Sequence, residues 1–461
     1  MATLPHVAAG VRAAKRDRPP DVLFIAIEDV SPQRFGCWGN TVCKTPNLDR
    51  LASEGLRFDQ AHCMAPPCNP TRTSLLTCLR PDTTKVLSNR DDWREMLPGV
   101  LTMPRHFLNH GYETVRIGKI FHGKFEDDAS WSRVVSANQG MPPLKHKRRE
   151  LMGPGVPLLQ RQREARRQGK PEPKGVPFLY GPSGLDDLEE TDGRSAEQAI
   201  RILENKQDKP LFLGLGFHKP HLAFTAPDKY FEMYPAEKMV LPSPPEGSCW
   251  EVPDRGDHKT FTPKMWREAI AAHYACLTFV DAQAGRVLRA LGATGRADNT
   301  IVVVWTDHGF LLGEHFMWRK GPLYDLGDQV ALMMRAPGIT QAGSVCKRPV
   351  ESIDIFPTLF DLCGIPMPDR CEGMSMRPLL QDPTRPWKKG ALIRSGADRR
   401  SIRTERWRYT EYGGPDRAEL FDYEADPNEY YNLAGDPKHA DVVAELSKLL
   451  HGGPEACLPP A

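Results

Sequence analysis

The 461-residue sequence has no apolar run that approaches the roughly 20 residues needed to cross a bilayer. Its longest apolar stretches, such as residues 210–215, have the length of a strand. The sequence also lacks an excess of charge of either sign, since 61 Lys and Arg against 59 Asp and Glu give a net charge of +2. These absences argue against a membrane span and against a nucleic-acid partner. The apolar fraction of 40% and the charged fraction of 26% are those of a globular protein.

The cysteines are scattered and do not predict a disulfide scaffold. There are 11 of them, an odd number, and none forms a C-x-x-C pair. Cys363 and Cys371 are near enough in sequence for a local bridge, and buried thiols are an equal alternative. Residues 1–20 lack a convincing signal-peptide core, because basic residues follow their apolar stretch instead of preceding it. A cytoplasmic location and an export leader outside this sequence therefore both stay open.

Three continuous apolar runs predict an α/β fold with a large, mainly parallel sheet. Residues 21–27, 211–217 and 301–305 are apolar on both faces, as parallel strands covered by helices are. Ligands bind beyond the carboxyl ends of such strands, so the polar residues that follow the runs are expected to meet at one site. These residues are Glu28, Asp29, His218, His221, Asp307 and His308. The predicted helices that alternate with the strands lie at about residues 47–53, 71–79, 103–110, 195–205 and 263–291.

The sequence divides into an N-terminal extension over residues 1–20, a large α/β domain over residues 21–385 and a small C-terminal subdomain over residues 386–461. In the subdomain, residues 402–412 alternate and are aromatic, which predicts an antiparallel strand paired with residues 419–423. A closing amphipathic helix is expected over residues 440–450.

Residues 141–177 are predicted to form a long surface insertion, because they are rich in Pro, Gly, Lys, Arg and Gln. Between residues 145 and 174 the insertion carries ten Lys and Arg against three Glu. Two interpretations are open. The insertion is either a solvated loop or an electropositive rim that attracts a polyanionic glycan.

The most informative motif is Cys68-x-Pro70-x-Arg72, which opens a predicted amphipathic helix. Pro70 suits a first helical turn, so the Cys68 side chain lies at a helix N-terminus, where backbone N–H groups favour an anion. Arg72, one turn away, offers a planar fork of donors that can hold a tetrahedral oxyanion.

This motif, with Leu75-Leu76-Thr77 downstream, resembles the signature of the type I sulfatases, in which the cysteine is oxidised to formylglycine. The resemblance extends over residues 21–433 and is closest to the iduronate-2-sulfatase-like branch, judged by the runs at 118–122 and 216–221. It implies an alkaline-phosphatase-like fold, a formylglycine-generating enzyme as maturation partner and a sulfated saccharide as substrate. Cys78 departs from the family, which usually has Gly there, and local repacking is expected.

The resemblance also implies one divalent cation, Ca²⁺. Its ligands would be Glu28, Asp29, Asp307, His308 and the modified Cys68. Glu28 is the least secure of them, because the family usually has two consecutive Asp residues. Several carboxylates that converge from different segments are what a hard cation requires.

The catalytic residues that the resemblance implies are the modified cysteine and a set of cations and histidines around it. They are Cys68, Arg72, Lys119, His122, His221 and Lys320. Preorganised cations stabilise the negative charge that develops on a sulfate ester. In the implied mechanism, His221, assisted by Lys320, protonates the leaving oxygen, and His122 accepts a proton from the second hydroxyl of the hydrated aldehyde. Lys119 holds a hydroxyl or a sulfate oxygen. His218 either lines the sugar pocket or satisfies a buried backbone group.

Two alternatives to a sulfatase are a phosphonate or phosphodiester hydrolase of the same superfamily and a non-catalytic glycan-binding relative. The second is suggested by Glu28 and Cys78, and the intact catalytic residues argue against it. Residues 325–330 stand where relatives often have Thr-Arg-Val-Pro, so an arginine is missing. This difference weakens any transfer of iduronate specificity.

Overall fold

The computed structural model describes residues 18–205, 208–249 and 261–459, so most of the N-terminal extension lies outside the described residues. The strands are β1 Asp21–Ile27, β2 Leu56–Phe58, β3 Ala61–His62, β4 Glu113–Gly118, β5 Arg133–Val135, β6 Leu211–Gly216, β7 Thr300–Thr306, β8 Leu311–Leu312, β9 Trp318–Arg319, β10 Leu332–Arg335, β11 Ser344–Cys346, β12 Val350–Glu351, β13 Ala391–Ser395, β14 Arg399–Arg403, β15 Trp407–Tyr412 and β16 Ala418–Asp422. The α-helices are α1 Pro46–Glu54, α2 Cys68–Thr77, α3 Pro81–Thr84, α4 Trp93–Met96, α5 Met103–Asn109, α6 Val156–Arg167, α7 Thr191–Glu204, α8 Asp228–Phe231, α9 Pro263–Ala293, α10 Asp325–Asp328, α11 Ile355–Cys363, α12 Arg377–Gln381 and α13 Ala440–Ala456. None of the described helices is long and apolar enough to cross a membrane.

The main sheet has eight strands in the order β11-β2-β10-β7-β1-β6-β4-β5. Strand β1 lies at its centre and pairs in parallel with both β6 and β7. Only β10 runs antiparallel to its neighbours, so the prediction of a mainly parallel sheet is confirmed. Ala26 pairs with Gly216, and Ile27 pairs with Thr306. This register brings the carboxyl ends of the three central strands to one edge.

Helices cover both faces of the sheet, which explains why β1 and β7 are buried along their whole length. The alternate residues Leu23, Ile25 and Ile27 of β1 pack into a core with α1, α7 and α9. Their neighbours Val22, Phe24 and Ala26 pack into a second core with α2, α5 and α11. Because α2 is buried between the sheet and α11, all ten of its residues are buried, and the prediction of an amphipathic helix was wrong.

The C-terminal region forms a separate antiparallel sheet in the order β13-β14-β15-β16. The predicted strand over residues 402–412 is in fact two strands, β14 and β15, joined by a tight turn. The Thr404 hydroxyl accepts a hydrogen bond from the Trp407 N–H (2.9 Å) and closes this turn without Gly or Pro. The pairing of β15 with β16 is confirmed.

The insertion over residues 141–177 contains the helix α6, which was not predicted. Backbone bonds fasten it to the following segment: Met152 and Tyr180 exchange N–H···O=C bonds of 2.9 and 3.0 Å, and the Gly155 N–H donates to the Phe178 carbonyl. The insertion is therefore a docked element and not an unstructured loop.

A disulfide joins Cys78 to Cys371, which are 293 residues apart in sequence. The local bridge between Cys363 and Cys371 therefore does not form. Cys78 ends α2 in the left-handed conformation with a φ of 57°. Glycine is the residue that most often takes this conformation after a helix, so the glycine usual in the family and the cysteine found here occupy the same kind of cap.

A buried ionic network connects the C-terminal sheet to the main domain. Arg408 of β15 is fully buried and donates to both carboxylate oxygens of Asp328 (2.7 and 2.9 Å) and to Asp325 (2.5 Å). The His62 imidazole contacts the same Asp328 carboxylate (3.0 Å). Burial alone would lower the pKa of Arg408, but Asp328 and Asp325 hold it above its ordinary value.

Replacing Arg408 by Met is expected to lower the free energy of unfolding by about 3–5 kcal/mol, because Asp325 and Asp328 lose a buried cation. The matched control is Arg406→Met, two residues earlier, whose pair with Asp422 (2.6 Å) is formed by a side chain that is 45% exposed. Chemical denaturation of both variants measures the difference. Equal losses of stability would contradict the structural role of Arg408.

Candidate active site

Cys68 is the first residue of α2, as the sequence predicts, and its side chain is fully buried at the edge where the central strands end. Its Sγ lies 2.9 Å from Lys320 Nζ and 3.2 Å from His308 Nε2. Burial would raise the pKa of the thiol, but Lys320 and His308 outweigh it and lower the pKa. The site therefore favours negative charge on the atom at this position.

Asp29, Asp307 and His308 surround Cys68. One ligand atom from each of these four residues lies within 4.8 Å of all the others. The pairing of Ile27 with Thr306 explains the contact, because Asp29 and Asp307 each follow the end of a strand in adjacent positions. The Asp29 N–H donates to Asp307 Oδ1 (3.1 Å) and ties the two strand ends together.

Neighbouring cations keep the Asp29 carboxylate of this group in its charged form. Burial would raise the pKa of Asp29, but Lys320, His221 and His308 hold it below its ordinary value. His308 Nδ1 lies 2.8 Å from the Gly309 carbonyl and donates to it, so Nε2 faces the group. Burial would lower the pKa of His308, and Asp307 and Cys68 raise it to about 9.

This donor set fits a divalent cation. It offers two buried carboxylates, one imidazole nitrogen oriented by a backbone carbonyl, and the side chain of residue 68. Lys320 Nζ, 2.8 Å from Asp29 Oδ1, lies at the same group and shares its negative charge.

Arg72 holds the end of β7 and the segment after β4 in place. Its Nε donates to Asp307 Oδ2 (3.0 Å), and one terminal nitrogen donates to the carbonyls of Lys119 and Ile120 (3.1 and 2.9 Å). The guanidinium lies over the Trp305 ring, 5.3 Å from its centroid. Arg72 is fully buried, so these contacts fix its orientation.

Glu28 lies beside the group without joining it. Its carboxylate forms a close ion pair with Lys119 and accepts from Arg72 (3.3 Å). Burial would raise the pKa of Glu28, and Lys119 and Arg72 lower it below the ordinary value. Its role as a metal ligand stays a prediction, whereas its role as the partner of Lys119 is visible in the contacts.

His122 lies in the segment after β4, as Lys119 does. Its buried Nδ1 has no hydrogen-bond partner among the described residues. Burial, together with the nearby Lys119 and Arg72, lowers the pKa of His122 to about 4. The imidazole is therefore neutral near pH 7 and can accept a proton.

His221 lies on the opposite side, with Nε2 3.8 Å from Asp29 Oδ2 and Nδ1 2.8 Å from the Leu222 carbonyl. Nδ1 donates to that carbonyl, so Nε2 is directed to the site. His221 also lines a cavity of about 280 Å³ together with His218, Arg148, Thr191 and Thr225. The cavity therefore adjoins the group of Asp29 and Cys68 at His221.

His218 faces this cavity and is held by Asp192, the second residue of α7. His218 Nδ1 lies 3.4 Å from Asp192 Oδ1, and the hydrogen bond that its ring donates to this carboxylate raises the pKa of His218. The Asp192 carboxylate also accepts the backbone N–H groups of His218 (2.9 Å) and Lys219 (2.8 Å). The sequence analysis missed Asp192. The only signal was an acidic residue in the first turn of a helix, and the predicted helix began four residues too late.

Comparisons with known proteins agree with this geometry. Residues 20–365 match the sulfatase family, and residues 313–453 match the C-terminal region of N-sulphoglucosamine sulphohydrolase. A sulfatase of Formosa agariphila is 30% identical over 449 residues, which cover 94% of this chain and 86% of that protein. Human iduronate 2-sulfatase is 29% identical over 536 residues, covering 92% of this chain and 93% of that protein.

Among solved structures, the phosphonate monoester hydrolase of Agrobacterium radiobacter superposes with a TM-score of 0.75 and covers 95% of this chain and 96% of its own. At 23% identity this likeness shows the fold alone. The fold is the alkaline-phosphatase-like architecture that the sequence predicts. The family match over residues 20–365 and the relative at 30% identity show that this chain belongs to the sulfatase family, the enzymes that hydrolyse sulfate esters.

Proposed function

We propose that this enzyme removes sulfate from a sulfated saccharide through a nucleophile derived from Cys68, with a divalent cation bound beside it. The observation that carries the proposal is the meeting of the Cys68, Asp29, Asp307 and His308 ligand atoms within 4.8 Å of one another. The relatives named for iduronate support a sugar as the substrate.

The Cys68 Sγ marks the position of the attacking atom. Oxidation of Cys68 to formylglycine by a formylglycine-generating enzyme would supply a hydrated aldehyde, whose hydroxyl is an oxygen nucleophile. The N-terminus of α2 and Lys320 Nζ, 2.9 Å from Sγ, favour negative charge at this position. Arg72 fixes Asp307 and does not move during the reaction, because it is buried and bonded on several sides.

The proposed metal ligands are Asp29, Asp307, His308 and residue 68, with Glu28 at the edge. Bound calcium would act as a Lewis acid on sulfate oxygens. The four residues hold their ligand atoms together in one buried group, which fits a single ion. Glu28 would have to leave its pair with Lys119 to reach the ion.

The two histidines are assigned opposite roles. His221 directs Nε2 to the site from the cavity side, where the leaving alcohol would lie, and protonated His221 would donate to the leaving oxygen. Lys320 assists by its charge. His122 is neutral near pH 7 because its pKa is about 4, so its ring is in the form that can accept a proton from residue 68, although this pKa makes it a weak base. Lys119, between them, would hold a sulfate oxygen.

Protein co-produced with a formylglycine-generating enzyme is expected to carry an oxidised residue 68 and to release sulfate from sulfated saccharides. Peptide mass spectrometry of Phe58–Arg72 should show sulfur replaced by oxygen with loss of two hydrogens at Cys68, as for an aldehyde, while Cys63 in the same peptide stays unchanged as an internal control. The Cys68→Ala variant should fold and show no turnover.

Turnover by protein with unmodified Cys68 would contradict this mechanism. Faster hydrolysis of an aryl phosphonate than of an aryl sulfate would instead favour the phosphonate hydrolase alternative.

Asp307→Asn is expected to lose both the bound metal and turnover, because the ion loses a central carboxylate. Glu28→Gln should weaken metal binding less, since its carboxylate lies outside the group. Elemental analysis of purified variants measures the metal content. Full occupancy in Asp307→Asn would disprove the ligand set, and equal losses in both variants would make Glu28 a full ligand.

His221→Ala is expected to slow turnover of a sulfated saccharide by about 10²–10⁴-fold. Turnover of an activated aryl sulfate should fall much less, because a phenolate leaves without a proton. His122→Ala serves as the comparison and should slow both substrates alike. Equal losses on both substrates for His221→Ala would reject its role as the acid.

A further inference from the structure

The positive charge of this chain is concentrated in one segment. Residues 145–174 carry ten Lys and Arg against three Glu, a net charge of +7, in a chain whose total is +2. The rest of the chain is therefore net acidic, at −5. Such asymmetry indicates that the segment is a surface for a charged partner. The net charge of the whole chain, +2, does not show it.

Both ends of this basic segment are fastened beside the active site. At its start, Arg148 pairs with the buried Glu190 (2.9 Å) and lines the cavity that also contains His221. Just after its end, the Val176 carbonyl accepts a hydrogen bond from Arg319 (2.9 Å), the residue before Lys320. The segment therefore begins at the cavity and ends beside Arg319, which precedes Lys320 in sequence, with α6 between.

The cations of α6 are directed to solvent. Arg161, Arg163 and Arg167 are exposed and form no ion pair within the described residues, whereas Arg166 pairs with Glu172 (2.9 Å). Arg163 and Arg167 are four residues apart on one face of the helix, where like charges are unfavourable. Arg161 and Arg163 also precede the last turn, so the helix dipole does not stabilise them. Arg161 and Arg163 therefore do not serve the stability of α6.

Exposed apolar groups lie at the two ends of the same segment. The side chains of Met152 and Val176 are 54% and 53% exposed. Aliphatic groups beside cations suit a ligand that presents both anionic groups and the apolar faces of sugar rings. A sulfated glycan chain has both.

We propose that residues 145–174 form a binding surface for a sulfated glycan chain, which continues from a sugar in the cavity beside His221 outward along α6. The proposal rests on the sulfatase function proposed above and deepens it. The substrate is then the sulfated end of an oligomer or polymer, because a single sugar would fill the cavity and not reach α6.

The test combines Arg161→Gln, Arg163→Gln and Arg167→Gln in one variant. Its matched control combines Lys347→Gln, Lys438→Gln and Lys448→Gln, which removes the same charge from exposed positions outside the basic segment. For a sulfated polysaccharide, the α6 variant should raise KM about tenfold, as three surface ion pairs would. Its kcat, and all parameters for an aryl sulfate, should not change, and the salt dependence of KM should become weaker.

Binding can be measured apart from turnover in the Cys68→Ala background, with fluorescent dextran sulfate as the probe and uncharged dextran as its control. This arm keeps the surface testable if the enzyme proves to have another activity. Weaker binding of dextran sulfate by the α6 variant than by the control variant supports the proposal. Equal affinities of the two variants would overturn it, as would tighter binding of double-stranded DNA than of dextran sulfate. Circular dichroism confirms that both variants are folded.

Discussion

The site depends on one constraint, the parallel pairing of β1 with β7. Ile27 and Thr306 are register partners, so the residues that follow them must share one buried edge. Asp29 and Asp307 are both acidic, and two carboxylates in a buried space repel each other unless cations neutralise them. The chain supplies these cations from separate segments: Arg72 from α2 pairs with Asp307, and Lys320 after β9 pairs with Asp29. Lys119 after β4 pairs with the adjacent Glu28. The architecture around the strand ends can be understood as the neutralisation of these two charges.

Each neutralising contact also prepares the chemistry. Arg72 is saturated by Asp307, Glu28 and two backbone carbonyls, so it fixes the site and leaves little freedom of movement. Lys320 bridges Asp29 and the Cys68 sulfur, which connects the proposed metal site to the nucleophile. His122 keeps an unpartnered buried nitrogen in the field of two cations, and this lowers its pKa to about 4. The same charges that stabilise the fold thus keep the Asp29 carboxylate ionised and the His122 imidazole neutral.

Much of this arrangement could be predicted from the sequence. The runs over residues 21–27 and 301–305 are apolar on both faces, so the parallel sheet and its polar edge follow from pattern alone. The position of Cys68 at a helix N-terminus follows from Pro70. The partner of His218 could not be predicted, because Asp192 reaches it from α7 across a tertiary contact. The alternating polar and apolar residues over 402–412 predicted one strand and gave no sign of the turn at Thr404. That turn is closed by a side-chain hydroxyl and not by Gly or Pro. The bridge from Cys78 to Cys371 spans the chain and has no local signal.

This chain has no arginine at residues 328–329, and the charge of Asp328 is neutralised by a residue of another element. Where relatives often have Thr-Arg, this chain has Asp328-Gln329, and Gln329 donates to the Asp59 carbonyl instead of presenting a charge. Asp328 is buried and would be costly without a cation, and Arg408 of the C-terminal sheet supplies one. A cation of the C-terminal sheet therefore neutralises this carboxylate of the main domain. A cation bound in this way is not available to a substrate, so recognition of an anionic sugar must use other residues. Arg148 and His218, which line the cavity beside His221, are in position to do so.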